Sequence, residues 1–384
     1  MFQRDRVFWL GSLQTSLVVF FVGGFGPAQP LLRIEQHTSL AVAGLHGTAM
    51  GIASIVAGFT GPILVHRFGR PRTTWIGMGF FLVGLVAFVF APTVQFTLIA
   101  ILIAGFGIST VVNAMVTRFT EHFRENASNA LSQGSAVGSV GYILGTLSVG
   151  TLAAFGISWR LALLAVVPVA IFLYFHSRHE ISDDHTPDED GPQRGSLSAK
   201  FWFAWFGFVA CIAGEFATTF WAAALIRDRI GSSPAFSTIT IMAVGIGMGL
   251  GRWYGPKVLK RFQLDSKLKF VIALQFFAFS VVWFSHTLLI SLIALCVVGM
   301  GLSMQFPLSS LRLIGFSDNR PDLAIGRSSL AAGSAIAGSP FILGILGDHF
   351  GISRAYLMVP VLVILAFSAL VIVPSQKVTV GKNL

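Results

Sequence analysis

The sequence predicts an all-α polytopic membrane protein: twelve transmembrane helices arranged as two six-helix repeats. Three observations carry this. Of 384 residues, 54% are hydrophobic and 11% charged, against roughly 25% charged in a soluble domain. No water-soluble fold of this length could cover so much apolar surface. Twelve apolar runs stand between charged or turn-rich breaks. Finally, Gly61-Pro62-Ile63-Leu64-Val65-His66-Arg67-Phe68 returns as Gly255-Pro256-Lys257-Val258-Leu259-Lys260-Arg261-Phe262, 194 positions later, about half the chain away.

The runs of the first half cover residues 8–31, 40–65, 74–91, 94–116, 127–155 and 161–175. Those of the second cover 201–226, 235–251, 268–284, 288–311, 324–346 and 355–373. Most reach the roughly 20 residues a helix needs to cross a bilayer. The apolar–polar alternation of a membrane barrel is absent. Span one is long and lacks a small-residue cleavage pattern, so it reads as a first transmembrane helix and not a signal peptide. The span-two to span-three loop holds the repeated Gly-Pro motif. Span four carries Thr110, Asn113 and Thr117, and its end at Arg118 maps on Arg312 of span ten at the same offset of 194. Span five carries Gly134, Gly138, Gly141 and Gly145, and span eleven Gly333, Gly338 and Gly344. Small residues at this spacing let helices approach closely in lipid, so both stripes are either tight packing or sliding surfaces between the halves. Span six opens on Ser158-Trp159-Arg160, and Arg160 maps on Arg354 of span twelve. The block from Gly134 to Gly145 also matches Gly333 to Gly344, at an offset of 199.

These repeats divide the chain into an N-terminal six-helix bundle (1–176), a cytoplasmic linker (177–200) and a C-terminal six-helix bundle (201–384). The linker is acidic and contains Pro187 and Pro192, the composition of a flexible tether. Its Asp, Glu and His repeat no ligand spacing, so it is read as a solvated tether and no metal is expected.

The net charge of +10 is a record of topology. With the N-terminus inside, twenty Lys and Arg fall on the cytoplasmic side, among them Arg67, Arg70, Arg72, Lys257, Lys260, Arg261 and Arg327. Arg33, Arg160, Arg227, Arg229 and Arg354 fall outside, and Arg252 lies within span eight. This positive-inside bias predicts a multi-pass cell (inner) membrane protein with both termini cytoplasmic, and argues against nucleic acid as a partner. Cys211 and Cys296 lie in spans without a partner pattern and read as inert thiols. There is no Gly-x-x-x-x-Gly-Lys loop for nucleotide drive. No nucleophile–base or metal constellation appears, so neither an enzyme nor a cofactor is expected.

Two similar apolar halves suit a transporter with a central substrate path. Gly61 to Arg72 resembles the loop between helices two and three of the major facilitator superfamily, and Ser158-Trp159-Arg160 is similar to the Trp-Arg opening helix six in many members. The resemblance covers essentially the whole chain. It implies alternating access, with spans one, four, seven and ten lining a cavity. It also implies a gate of His66, Arg67, Gly69, Arg70 and Arg72 against span eleven, supported by Arg118 and Arg312 at equivalent span ends. His66 stands where the family usually carries an acid, which implies weaker or different inward gating. Gly141-Tyr142-Ile143-Leu144-Gly145 lacks the Gly-Pro pair of many proton-driven drug antiporters, which argues for a symporter or uniporter.

Among sixteen Asp and Glu, Glu215 alone lies deep in a span, roughly 20 Å from the cytoplasmic start of span seven. A buried carboxylate costs several kcal/mol unless paired or protonated, so it marks an ion or substrate path. Glu215 is therefore the expected proton-coupling residue; the alternative is a neutral clamp between helices. Cys211, Thr218, Thr219 and Ala222 share its face, and its repeat equivalent is Phe21. Arg252 sits one turn from the cytoplasmic end of span eight, too shallow to pair with Glu215. Gln14, Asn113, Thr218, Trp221 and Gln305 are candidate substrate contacts, although interhelical hydrogen bonding suits each of them alone equally well. Aromatic spans one and seven, with Phe20, Phe25 and Phe220, suit a neutral or amphipathic small solute, and no paired arginines await a dianion. The expected protein is a monomeric secondary transporter of a small organic solute, coupled to protons. The rivals are an amphipathic efflux antiporter and a non-transporting sensor on the same fold.

Overall fold

A computed structural model describes residues 3–177, 195–231, 234–318 and 320–375. The linker at 178–194, with Arg178 and Arg194, lies outside the described residues, as do Lys377 and Lys382. Among those described the chain is helical, without strands. The first half holds α1 (Arg6–Glu35), α2 (Leu40–Phe90), α3 (Val94–Phe123), α4 (Ala127–Ala154), α5 (Trp159–Leu164) and α6 (Val166–Ser177). The second holds α7 (Ala199–Ile230), α8 (Pro234–Val258), α9 (Leu264–Phe284), α10 (Leu288–Leu302), α11 (Gln305–Gly315), α12 (Pro321–Phe350), α13 (Ile352–Ala355) and α14 (Met358–Ile372).

Local chemistry sets the ends. Asp5 accepts from the Phe8 N–H, Ser39 from Val42 and Ser198 from Phe201, which caps α1, α2 and α7 by satisfying orphan donors of the first turn. Gly231 closes α7 in the left-handed region at φ 68°, where glycine has no Cβ to clash.

Ten segments of the described residues are long and apolar enough to cross a membrane. One of them, Val42–Phe90, runs to 49 residues, about twice the length a single crossing needs. It breaks at Gly69, whose φ of 74° and ψ of 163° are non-helical, with Pro62 and Pro71 on either side. Arg160 ties Glu35, just before α2, to the Phe88 carbonyl near its end, so α2 is a hairpin with Gly69 at its tip. With α2 read as two arms and α8 included, every expected run lies in helix. Three runs are interrupted: α5 from α6 at Ala165, α10 from α11 at Ser303–Met304, and α13 from α14 at Tyr356–Leu357.

The duplication is visible in the packing. Gly105 lies against Met50 and Ala53; 194 positions on, Gly299 lies against Val244 and Met248. Two large apolar clusters form, one centred on Phe21, Phe25, Phe81 and Phe88, the other on Trp221, Phe279, Tyr356 and Val359. Large apolar side chains such as Phe80, Phe172, Phe277, Phe284 and Val361 stay exposed on the outside, as they do on a multi-pass membrane protein.

The halves meet most extensively along two helix pairs. The first arm of α2 packs antiparallel to α12, where a Cβ on Gly333 would lie 2.6 Å from the Gly51 carbonyl oxygen. The other pair is α4 and α8, with Gly245 against Tyr142 and Gly249 against Ser139. The glycines of span five behave differently from those of span eleven. A Cβ on Gly141 or Gly145 would overlap the Ser16 or Phe20 carbonyl of α1, within the same half. Only the span-eleven stripe, through Gly333, faces the opposite half.

Candidate functional site

Between the halves lies a cavity of about 220 Å³. Its wall comes from α1, α2, α3 and α4 on one side and α7, α8, α11 and α12 on the other. Most of it is apolar, including Val19, Met50, Met248, Phe216, Phe306 and Ile336. Hydroxyls enter from Thr15, Ser54, Ser109, Ser139, Tyr142, Thr219 and Ser329. Among the described residues, the charged side chains of the wall are Glu215 and Arg252.

Arg252 corrects the sequence reading. Its Nη2 stands 3.9 Å from Glu215 Oε1. An arginine has a long stem, and this one carries its guanidinium from the helix end towards the middle of the bundle. Two anchors hold it there: Nε donates to the Ser303 carbonyl and Nη1 to Ser139 Oγ, each at 3.0 Å. The Ser303 carbonyl is available because its helical partner four residues on is Pro307, which has no N–H. The break between α10 and α11 thus supplies an acceptor to the site. A buried carboxylate needs a counter-charge, and Arg252 provides one.

Asn113 reaches the wall from α3, and its Oδ1 accepts from Ser329 Oγ of α12 at 2.9 Å. Apolar residues of both halves meet on either side of the cavity. Away from the termini, the rings of Phe25 and Phe220 are 6.2 Å apart, edge to face. Towards the termini, Phe8, Met115, Phe119 and Ile325 form one buried cluster.

Glu215 and Asn113 are brought together on the wall; Gln14, Thr218, Trp221 and Gln305 are not. Gln14 is buried at 2% exposure, its Oε1 without a hydrogen-bond partner among the described residues. Thr218 donates to the Gly214 carbonyl, and its own carbonyl accepts from Tyr356. Trp221 Nε1 donates to the Pro340 carbonyl and Gln305 Nε2 to Gln275 Oε1. The reason on α7 is angular. At 3.6 residues per turn, Ile212, Phe216 and Thr219 flank Glu215 on the cavity side, while Cys211, Thr218 and Ala222 lie on its other flank. The sequence reading missed Arg252, Ser139 and Tyr142 as wall residues. Ser135, Ser139 and Tyr142 recur at helical spacing on one face, a signal the neighbouring glycines obscured.

The expected gate residues gather at the end holding the termini. Gly69 forms the hairpin tip. Arg70 pairs with Glu121 of α3 at 2.6 Å, and Arg312 with Asp265 of α9 at 3.2 Å and with the Val373 carbonyl, all within their own halves. Arg67 lies over the Phe68 ring at 5.3 Å; His66, Arg72 and Arg118 stand at the same end. Across the halves, Arg327 of α12 sits 5.7 Å from the Phe59 ring centre. At the opposite end, Trp159 Nε1 and Arg160 both donate to Glu35, and Arg160 also takes the Phe88 and Val89 carbonyls that end α2.

The family model described as Major Facilitator Superfamily matches residues 11–326. The chain belongs to that superfamily. Its fold and family are those of membrane transporters of small solutes. A relative in Cupriavidus pinatubonensis, named a probable 4-methylmuconolactone transporter, is 24% identical over 373 residues, covering 92% of this chain and 86% of the relative. Among solved structures, the E. coli fucose:proton symporter FucP matches at a TM-score of 0.70 and 16% identity, covering 97% of this chain and 100% of its own. The human organic anion transporter MFSD10 matches at 0.67 and 16%, covering 95% and 98%. At these identities the solved structures speak for the fold alone.

Proposed function

We propose that this superfamily member is a secondary transporter that moves a small organic solute by alternating access, coupled to protons through Glu215. One observation carries the reading: the one deep acid of the chain stands on the wall of the central cavity, facing Arg252 at 3.9 Å. A carboxylate there can take a proton from one side and release it to the other as the cavity changes face. The halves meet through small residues on α2 and α12, which suits two bodies that rock against each other. The contact of Phe25 with Phe220, and the cluster that holds Phe119 and Ile325, are the apolar seals that would part in turn. The excess of Lys and Arg on the loops beside the termini supports a cytoplasmic location for both ends, in a cell (inner) membrane. The two bundles, 1–176 and 201–384, act as the moving units, and a monomer suffices because the cavity is complete within one chain.

The test is transport in proteoliposomes with an imposed pH gradient, with labelled 4-methylmuconolactone as the first solute and a panel of small acids and lactones after it. Wild type should accumulate solute uphill. Glu215→Gln keeps the shape but cannot titrate. It should lose uphill accumulation while keeping counterflow exchange, which need not move net protons. Equal accumulation by the Gln variant would make Glu215 structural.

A further inference from the structure

The contact between Glu215 and Arg252 is looser than a working ion pair. At 3.9 Å it lies beyond hydrogen-bond reach, although Nε and Nη1 are both fixed at 3.0 Å from behind. Among the described residues Nη2 has no hydrogen-bond acceptor. Each of the two side chains keeps 14% exposure, and both line the cavity. The guanidinium is thus anchored by the bundle and offers one donor edge to whatever occupies the cavity.

We infer that Arg252 binds the solute directly, that the solute is a small organic monocarboxylate, and that it binds together with one proton on Glu215. The inference rests on the reading of Glu215 and the cavity given under Proposed function. Charge balance leads to it. With Glu215 ionised, the cavity holds one negative and one positive charge. A second carboxylate would then sit beside the first in a low-dielectric wall, where repulsion is costly. With Glu215 protonated, Arg252 is left uncompensated, and a single carboxylate restores neutrality through charge-assisted hydrogen bonds to the donor edge. The empty and the loaded site are both neutral, and the step between them takes in one proton and one carboxylate. The proton goes to a Glu215 carboxylate oxygen, and no bond of the solute breaks.

The other neighbours do not upset this balance. From α4 the Tyr142 phenol faces the pair, and on α7 the Cys211 thiol lies one turn away. Behind α7, the Tyr356 phenol is engaged by the Thr218 carbonyl, and Arg312 of α11 is matched by Asp265. The helices α1, α2, α3 and α12 contribute hydroxyls, an amide and apolar groups to the wall, none of them charged. One cation selects one negative charge, so a dianion would be left half-compensated. The apolar remainder of the wall suits a hydrocarbon body. About 220 Å³ falls below the roughly 300–1,000 Å³ of sites for drug-sized ligands, so that body is small.

The experiment is titration calorimetry on the purified full-length protein in detergent, without any gradient, from pH 5.5 to 9. Benzoate is the anionic probe and methyl benzoate its neutral counterpart. Heats measured in two buffers of different ionisation enthalpy should report uptake of about one proton per benzoate, and its Kd should weaken by up to about tenfold per pH unit on the alkaline limb. Methyl benzoate should bind at least tenfold more weakly than benzoate at pH 5.5, without pH dependence. Glu215→Gln should bind benzoate with no proton uptake and a flat pH profile. Arg252→Lys, which loses the planar fork, should weaken benzoate at least tenfold; if that variant does not fold, the Glu215→Gln profile decides. Equal binding of acid and ester, undiminished proton uptake in Glu215→Gln, or no benzoate binding by wild type overturns the inference. A protein that accumulates solute on a pH gradient yet ignores benzoate would lose this inference and keep the transport reading. Proton-linked benzoate binding without any flux would do the reverse.

Discussion

Arg252 donates from Nε to the Ser303 carbonyl at 3.0 Å, and it is Pro307 that leaves this carbonyl free. In an unbroken helix Ser303 would be bonded within its own span, and Arg252 would have to find another anchor. Pro307, uncharged and on a neighbouring helix, thereby positions the cation of the cavity.

Pro307→Ala tests that link. It restores an N–H that can compete for Ser303. Thermal stability should hold or rise slightly, because the α10–α11 junction gains a helical bond. Benzoate affinity should fall by up to about tenfold, the equivalent of roughly 1.4 kcal/mol of lost positioning. Melting temperature and calorimetric Kd, measured on the same preparation, check both halves of the expectation.

Close approach of α1 and α4 predicts a contrast between glycines. A Cβ at Gly145 overlaps the Phe20 carbonyl, whereas one at Gly61 meets nothing within 4 Å. Gly145→Val should therefore destabilise the protein by about 1–3 kcal/mol, the usual cost of overpacking. Gly61→Ala should be neutral or stabilising, since alanine is the better helix former. Unfolding in detergent, followed by scanning fluorimetry, separates the two.

Topology is testable with two exposed positions at opposite ends of the bundle. In a background with Cys211 and Cys296 replaced by serine, Arg67→Cys should resist an impermeant thiol reagent in intact cells and react in inverted vesicles. His286→Cys, between α9 and α10, should show the opposite pattern. Reversal of both would turn the protein over in the membrane.

Asp5 gives a pH dependence outside the spans. Partial burial raises its carboxyl, but the His122 hydrogen bond and those from the Phe8 and Val7 N–H groups outweigh it, so Asp5 titrates below the ordinary carboxylate value. The sign follows: the carboxylate form is favoured by folding, so its contribution is present above the unfolded value of about 3.9 and is lost as pH falls through the folded one. Asp5→Ala should lower stability at pH 7 by about 1 kcal/mol through the lost cap. The difference between variant and wild type should shrink as pH is taken from 6 to 3.5. A difference that stays constant would show that the ionised form plays no part.

Much of this architecture was legible in the one-dimensional record. Apolar runs long enough to cross hydrocarbon, the 194-residue repeat and the Gly61–Arg72 loop pointed to the fold and the family that the structure and the comparisons bear out. Glu215 stood out because an acid in a span is costly wherever it points. The wall around it did not stand out. Thr218 and Thr219 are adjacent in sequence and equally polar, yet only Thr219 lines the cavity. Arg252 looked too shallow because reach was judged from its Cα, and neither the long side chain nor the Ser303 anchor is visible in a list of spans.

The sequence by itself determined that the chain enters a membrane, how many apolar segments it carries, that its halves are copies and which acid is buried. These follow from length, composition and repetition, properties each segment holds alone. The tertiary structure decided which flank of α7 meets the cavity, that the span-five glycines pack within one half, and that Arg252 meets Glu215. In a soluble protein an apolar stripe would betray the inward face of each helix. In lipid both flanks are apolar and equally well solvated, so the rotation of a helix about its own axis is set by close contacts with its neighbours.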